Sequence, residues 1–233
     1  MTDIGIIGAG AWGTALAAIA ARAGHGVVIQ AHEPEVADAI NRDHENSLFL
    51  PGIALPETIH AVTDLAPATQ ARAVLLAMPA QHLRTVTGRA AKAWPAGVPA
   101  VICAKGIEQD SGALMSQILA ETLPEAPLAV LSGPTFAAEV AADLPAAATL
   151  AAVDPDLARQ LAELLSTPRF RIYRSDDLIG AQIGGAVKNV LAIACGIVAG
   201  KGLGDNGRAA LITRGLAEIM RLGRAIEIGR AHV

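Results

Sequence analysis

Aromatic side chains are scarce in this sequence, with one tyrosine, three phenylalanines and two tryptophans among 233 residues. The aromatic platforms on which single-stranded nucleic acids stack their bases are therefore not in evidence. An excess of basic charge is missing too. Lysine and arginine total 18 against 22 aspartates and glutamates, a formal net charge of -4, so no nucleic-acid partner is expected and only a local basic site remains open. Cysteine is limited to Cys103 and Cys195, each in an apolar run with no C-x-x-C pair and no nearby ligand histidine. Both read as small buried hydrophobes in a reducing compartment, and no metal site is expected. The start of the chain, Thr2-Asp3 directly before Ile4, lacks the basic region and long apolar core of a secretory signal, which predicts a cytoplasmic location. A long uncharged run is also lacking. The one candidate for a membrane span, from Ile179 to Ala199, is interrupted by Gln182, Lys188 and Asn189 and predicts a buried helix instead.

What the chain does have is apolar content, 52% of its residues, and a great deal of alanine, which suits helices packed tightly against a sheet and rules out disorder. Short apolar runs alternate with helical patterns, the signature of βα units around a mostly parallel sheet. Strands are expected near 4–7, 27–31, 73–79, 100–103 and 128–131, with weaker ones at 58–62, 146–152 and 169–174. The strand signal stops at Asp176. The expected organisation is a Rossmann-type dinucleotide-binding domain over 1–178, part of an all-helical domain over 179–226, and a non-native tail over 227–233, where EIGRAHV breaks the pattern.

The first strand runs into GAGAWGTALAAIAARAG, which sets Gly8, Gly10 and Gly13 in G-x-G-x-x-G spacing at the start of an alanine-rich helix. The first glycine permits the tight turn, the second lets a pyrophosphate approach the backbone, and the third lets the helix pack closely on the strand. The amides and dipole at that helix start favour an anion. After the second strand comes Ala31-His32-Glu33. Glu33 suits a ribose 2′-hydroxyl, His32 suits a 2′-phosphate, and both suit a solvated loop.

Two further strand ends carry polar groups at the edge where parallel sheets bind ligands: Lys105 and Gly106 in AVICAKGI, and Ser132, Gly133, Pro134 and Thr135 in LAVLSGPTFAAEV. The second is read as leading into a helix with proline near its first turn, its free amides and hydroxyls facing an anionic substrate that Lys105 neutralises. A solvent-facing lysine and plain helix capping are the competing readings. Lys188 is the one charge in the apolar run GGAVKNVLAIACGIVAG. On such a helix a lysine needs a partner or a chemical job, unless its ammonium snorkels to water.

In order, GAGAWGTALA, NRDHENSLFLPG, CAKGI, SGPTFAAEV, GGAVKNVLAIACGI and GRAALITRGLAEIMRLG closely resemble the bacterial NAD(P)-dependent glycerol-3-phosphate dehydrogenases over about residues 3–225. The resemblance implies reversible reduction of dihydroxyacetone phosphate to sn-glycerol 3-phosphate, supplying phospholipid synthesis, by a cytoplasmic enzyme that commonly forms homodimers. It places the proton donor or acceptor at Lys188, a lysine touching cofactor and substrate at Lys105, substrate-side positions at Gly133 and Thr135, and cofactor-side positions at Ala11, Trp12, His32 and Ala137. The cofactor is NAD(P), with NADPH favoured because no acid sits squarely at the end of the second strand. The family's helical domain is longer and carries a later Gly-Leu-Gly-Asp and a Ser-Arg-Asn that hold the substrate. Gly202-Leu203-Gly204-Asp205 stands too early for that role, so Asp205 is not assigned it. Residues 1–233 alone are accordingly expected to bind cofactor with little turnover, and to leave apolar faces at 179–200 and 209–222 partly uncovered. Two alternatives remain: a non-catalytic dinucleotide-binding fragment, and a related hydroxyacid dehydrogenase, which the adjacency of Lys188 and Asn189 disfavours.

Overall fold

The structure is a computed structural model that describes residues 2–230, with side chains through Ile226. The tail expected over 227–233 therefore lies outside the described residues at 231–233, and the side chains of 227–230 lie outside them as well. In chain order the elements are β1 (Thr2–Ile7), α1 (Ala11–Arg22), β2 (Val27–Gln30), α2 (Pro34–Asp43), β3 (Ile59–Val62), α3 (Leu65–Thr69), β4 (Ala71–Leu76), α4 (Leu83–Ala90), β5 (Ala100–Ile102), α5 (Met115–Thr122), β6 (Leu128–Ser132), α6 (Ala137–Ala141), β7 (Ala146–Ala151), α7 (Pro155–Leu165), β8 (Phe170–Ser175), α8 (Leu178–Gly200) and α9 (Gly204–Arg230). All eight expected strands are present, and they form one sheet in the order β3-β2-β1-β4-β5-β6-β7-β8.

Every neighbouring pair is parallel except β6 and β7, which run antiparallel with Leu131 opposite Leu150. The apolar runs are continuous because helices cover both faces. Ile4, Ile6, Ala73 and Leu75 are buried on one face, with Leu16 and Ile19 of α1. Ile7, Val74 and Leu76 are buried on the other, with Leu83 of α4 and Ile118 of α5. At the β3 edge a side chain continues the hydrogen bonding: Asn41 Nδ2 donates to the Ala61 carbonyl at 2.9 Å, and the Ala61 N–H donates to Asn41 Oδ1 at 2.8 Å. An edge closed in this way offers less template for pairing with another chain.

Three expectations are corrected. Pro134 does not enter a first helical turn, because Phe136 has extended backbone and α6 begins only at Ala137, which leaves 133–136 as loop. Cys103 is buried, whereas Cys195 is only half-buried on α8. The segment 179–199 is helical but not a buried helix: of α8 only Gln182, Ile183 and Gly185 are buried, while Val190, Ile193 and Ile197 stand exposed. The reason is that α8 touches β6 and β7 near its start and beyond that packs chiefly against α9, which covers one side of it. The exposed apolar face continues on α9 through Ile212, Leu216 and Met220. Among the described residues α8 is the one helix long and apolar enough, by length and composition, to cross a membrane.

Candidate active site

The loops that leave the carboxyl ends of β1, β2, β4, β5 and β6 surround a cavity of about 1360 Å³, larger than the 300–1,000 Å³ of ordinary small-molecule pockets. Its floor is the loop between β1 and α1. Gly8 adopts φ +105°, and a Cβ there would lie 2.8 Å from the Met78 amide nitrogen. A Cβ at Gly13 would overlap the Gly8 carbonyl oxygen, so α1 sits directly against the turn. Gly10 contrasts with both, having open space where a side chain would stand. It is the N-cap of α1 and no side chain caps that helix, which leaves its first amides and the positive end of its dipole facing the cavity. These features fit the pyrophosphate of a dinucleotide.

Gly8, Gly10, Ala11, Trp12 and His32 line the cavity, as do Lys105, Thr135 and Ala137. Gly13, Gly133 and Lys188 are not on its wall. Glu33 lines it beside His32, at the N-cap of α2. The position at the end of β2 belongs to Gln30, whose Nε2 donates to the carbonyls of Ala31 at 2.8 Å and Thr63 at 2.9 Å. That amide is engaged in holding two loops together and offers no carboxylate to a ribose.

Lys105, just beyond β5, donates from Nζ to the Gly133 carbonyl beyond β6 at 2.9 Å, and the same ammonium lies 5.4 Å from the centre of the Trp12 ring. Burial, reinforced by the nearby Lys188 charge, holds the Lys105 pKa below the ordinary lysine value. The loop reading of Lys105 as a free solvent-facing charge is thereby set aside. Gly133 contributes its carbonyl rather than a wall, and its backbone lies against β7, where a Cβ would come within 3.0 Å of the Ala147 oxygen. Lys188 is half-buried on α8, with Nζ 5.8 Å from the centre of the Phe136 ring. Neither Lys105 nor Lys188 forms an ion pair with a carboxylate among the described residues. Two buried polar atoms at this place have no hydrogen-bond partner among the described residues, Trp12 Nε1 and Thr135 Oγ1. Buried polar groups are ordinarily paired, so both mark where a ligand would bind. Asp205, by contrast, is paired with Arg208 at 2.8 Å in the exposed first turn of α9. Cys103 lies at the cavity edge, but burial pushes its thiol up to about 12, too high for a nucleophile at neutral pH.

Several residues of this region carry no signal in the sequence. Thr85, Val86 and Arg89 line the cavity from α4, a helix without a motif, and His82 lines it from the residue just before that helix. Asn46 is fully buried: its Nδ2 donates to the Ala9 carbonyl and to Thr14 Oγ1, both at 2.8 Å, and its Oδ1 accepts from the Phe49 N–H at 3.1 Å. It ties the glycine-rich loop to a segment 37 residues on. The segment NRDHENSLFLPG was noted for resemblance, but the contact itself is invisible to local reading.

Comparison with known proteins extends over the same pieces. The profile of the NAD-dependent glycerol-3-phosphate dehydrogenase N-terminus matches residues 3–158, and that of the corresponding C-terminus matches 177–232. The glycerol-3-phosphate dehydrogenase [NAD(P)+] of Paramagnetospirillum magneticum is 64% identical over 97% of this chain and 82% of its own length. That of Rhodospirillum rubrum is 62% identical over 96% of this chain, which spans 64% of the relative. The crystal structure of glycerol-3-phosphate dehydrogenase from Coxiella burnetii superposes with a TM-score of 0.91 at 40% identity, covering 97% of this chain and 69% of that one. The glycine-rich loop, the paired strand-end lysine and the lysine on α8 all fall within these matches, and the chain belongs to the NAD-dependent glycerol-3-phosphate dehydrogenase family, a family of oxidoreductases.

Proposed function

We propose that this chain binds NAD(P)H in the large cavity and takes part in the interconversion of dihydroxyacetone phosphate and sn-glycerol 3-phosphate. The observation that carries the proposal is the convergence of two lysines without carboxylate partners among the described residues, beside a cavity whose floor is the start of α1. Gly8, Gly10 and Gly13 shape the loop for the pyrophosphate, with Ala11, Trp12, His32 and Ala137 on the cofactor side. When bound, the cofactor supplies the hydride that reduces the ketone carbon. Hydride addition leaves negative charge on the C2 oxygen, and Lys188 answers it with an ammonium that both stabilises the charge and delivers the proton. In the reverse direction the same amine accepts that proton. Lys105 neutralises substrate charge from the other side and holds the Gly133 loop, while the Thr135 hydroxyl donates to the substrate.

NADPH is the favoured cofactor in this reading, since Gln30 occupies the strand end and His32 stands on the wall where a 2′-phosphate would reach. The protein acts in the cytoplasm, α8 is not a membrane span, and at the full length of the relatives two copies associate. Residues 1–178 form the dinucleotide domain and 179–226 belong to a helical one.

The test is a fluorescence titration of residues 1–233 with NADH and NADPH, followed by turnover assays on a protein with the full length of the relatives. Oxidation of NADPH with dihydroxyacetone phosphate, and none with 3-keto acids, is the expected result. Turnover with keto acids instead would replace this proposal with a hydroxyacid dehydrogenase. Binding of NADH at least tenfold tighter than NADPH, about 1.4 kcal/mol, would overturn the cofactor preference and assign the ribose to Glu33.

A further inference from the structure

The most buried polar side chain of α8 is Gln182, 5% exposed, and both ends of its amide are engaged. Its Oε1 accepts from the Ser116 N–H at 2.9 Å, and its Nε2 donates to Ser116 Oγ at 3.0 Å and to the Leu178 carbonyl at 2.9 Å. Ser116 lies in the first turn of α5, where helix geometry leaves amides without an internal partner. Gln182 therefore caps a helix that is not its own. One turn further along α8, Gly185 is buried against the end of β6: a Cβ there would stand 2.6 Å from Ser132 Oγ and 3.6 Å from Lys105 Cγ. One more turn brings Lys188, on the neighbouring strip of the same helix. At its start α8 is fixed by Asp177, whose Oδ1 accepts from the Gly180 N–H at 2.6 Å.

We propose that Gln182 is a positioning residue: by locking α8 to the first turn of α5 it sets the height and rotation of the helix, so that Gly185 meets β6 and Lys188 is held beside Lys105. Its catalytic consequence rests on the reading of Lys188 given above, whereas the positional claim does not. A helix free to slide or roll at Gln182 would carry Lys188 off the reacting oxygen, and a misplacement of about 1 Å costs on the order of 10²-fold in rate.

The proximity of the two lysines supplies a readout independent of turnover, because the Lys188 charge helps to lower the Lys105 pKa. Side-chain NMR titration of Lys105 is to be carried out on residues 1–233 as wild type, Gln182→Met, Lys188→Met and the double variant. Cys103, the other ionisable group acting on Lys105, is unchanged in all four. Lys188→Met raises the Lys105 midpoint, Gln182→Met raises it in the same direction, and Gln182→Met adds nothing once Lys188 is gone. Ser116→Ala, which removes one bond and keeps the Ser116 N–H bond to Gln182, gives a smaller rise and serves if Gln182→Met does not fold. At full length Gln182→Met lowers kcat while KM for the cofactor stays unchanged. A Lys105 midpoint that is unmoved in folded Gln182→Met, or in Ser116→Ala where Gln182→Met does not fold, would overturn the proposal and leave Gln182 a stability contact. Full turnover in Lys188→Met would instead overturn the proton-transfer reading, with the titration result standing.

Discussion

The two halves of α8 are built from the same small and apolar residues and live in opposite surroundings. In the first half an amide, Gln182, is 5% exposed, while in the second half Ile193 is 67% exposed. Hydrophobicity alone would order them the other way. The difference is one of partners: Gln182 has each hydrogen-bonding end of its amide engaged, so its burial carries no unpaired group, whereas Ile193 and Ile197 are left mostly exposed by the described residues. The half that touches the sheet holds the helix in place. The half that leaves it presents an apolar surface with a lysine at the junction.

The sharpest way to test that junction is to remove its charge. In a protein of the relatives' full length, Lys188→Met is expected to lower turnover by about 10²–10⁴-fold and to leave NADPH affinity unchanged, measured by steady-state kinetics beside a fluorescence titration. Near-normal turnover would return Lys188 to the status of a snorkelling surface charge.

Truncating one isoleucine in each half should break the symmetry of composition outright. Ile183→Ala, at a fully buried site, is expected to cost about 2–5 kcal/mol, whereas Ile193→Ala stays within about 0.5 kcal/mol, both by urea unfolding. Equal losses would mean that the outer face of α8 is covered in solution.

The glycines give a smaller contrast, one of sign. Gly196→Ala meets nothing within 4 Å and is expected to stabilise the helix by roughly 0.5–1 kcal/mol. Gly185→Ala crowds Ser132 Oγ and is expected to destabilise by about 1 kcal/mol, the low end for overpacking because a hydroxyl can turn aside. Stabilisation by both would show that α8 does not approach β6 as closely as described.

The mildest effect is in pH. Lys105 titrates below the ordinary lysine value of 10.5 in the folded chain, by burial first and Lys188 second. Between that lowered value and 10.5 the unfolded chain holds a proton that the folded chain has released, so stability rises with pH across the window. Wild type should gain on Lys105→Met over this range in thermal melts and gain no more above it; a constant difference would place Lys105 in ordinary solvation.

Much of the sheet was legible because a strand covered on both faces is a continuous apolar run, as at 73–76 and 128–131. The glycine-rich loop was legible because its turn, approach and packing demands all fall within six residues. Burial of α8 was misjudged because apolar composition states what a helix tolerates, not what stands beside it. Gln182 and Ser116 lie 66 residues apart, and Asn46 and Ala9 lie 37 apart. No local pattern announces an amide whose acceptors are that distant. The entry to α6 was placed too early because Pro134 suits a first turn and an extended loop equally well.

The direction of β7 was equally silent in the sequence, yet it decides how the lysine arrives. Because β7 and β8 run against the other strands, the chain leaves β8 heading away from the cavity, with Ser175 level with Ala151 of β7 and so with Val130 in the middle of β6. The helix that follows must turn back and climb before it reaches the ligand edge, where Gly185 meets Ser132 at the end of β6. From Leu178 to Gly185 it rises about 10 Å at 1.5 Å per residue, and Lys188 follows about one turn beyond. The sheet thus works as a gauge: the level at which β8 ends selects which residue of the helix emerges at the rim. Had β7 run parallel, the same helix would start at the rim and descend, carrying Lys188 to the far edge. One reversed strand turns the middle of a helix into the reaching part.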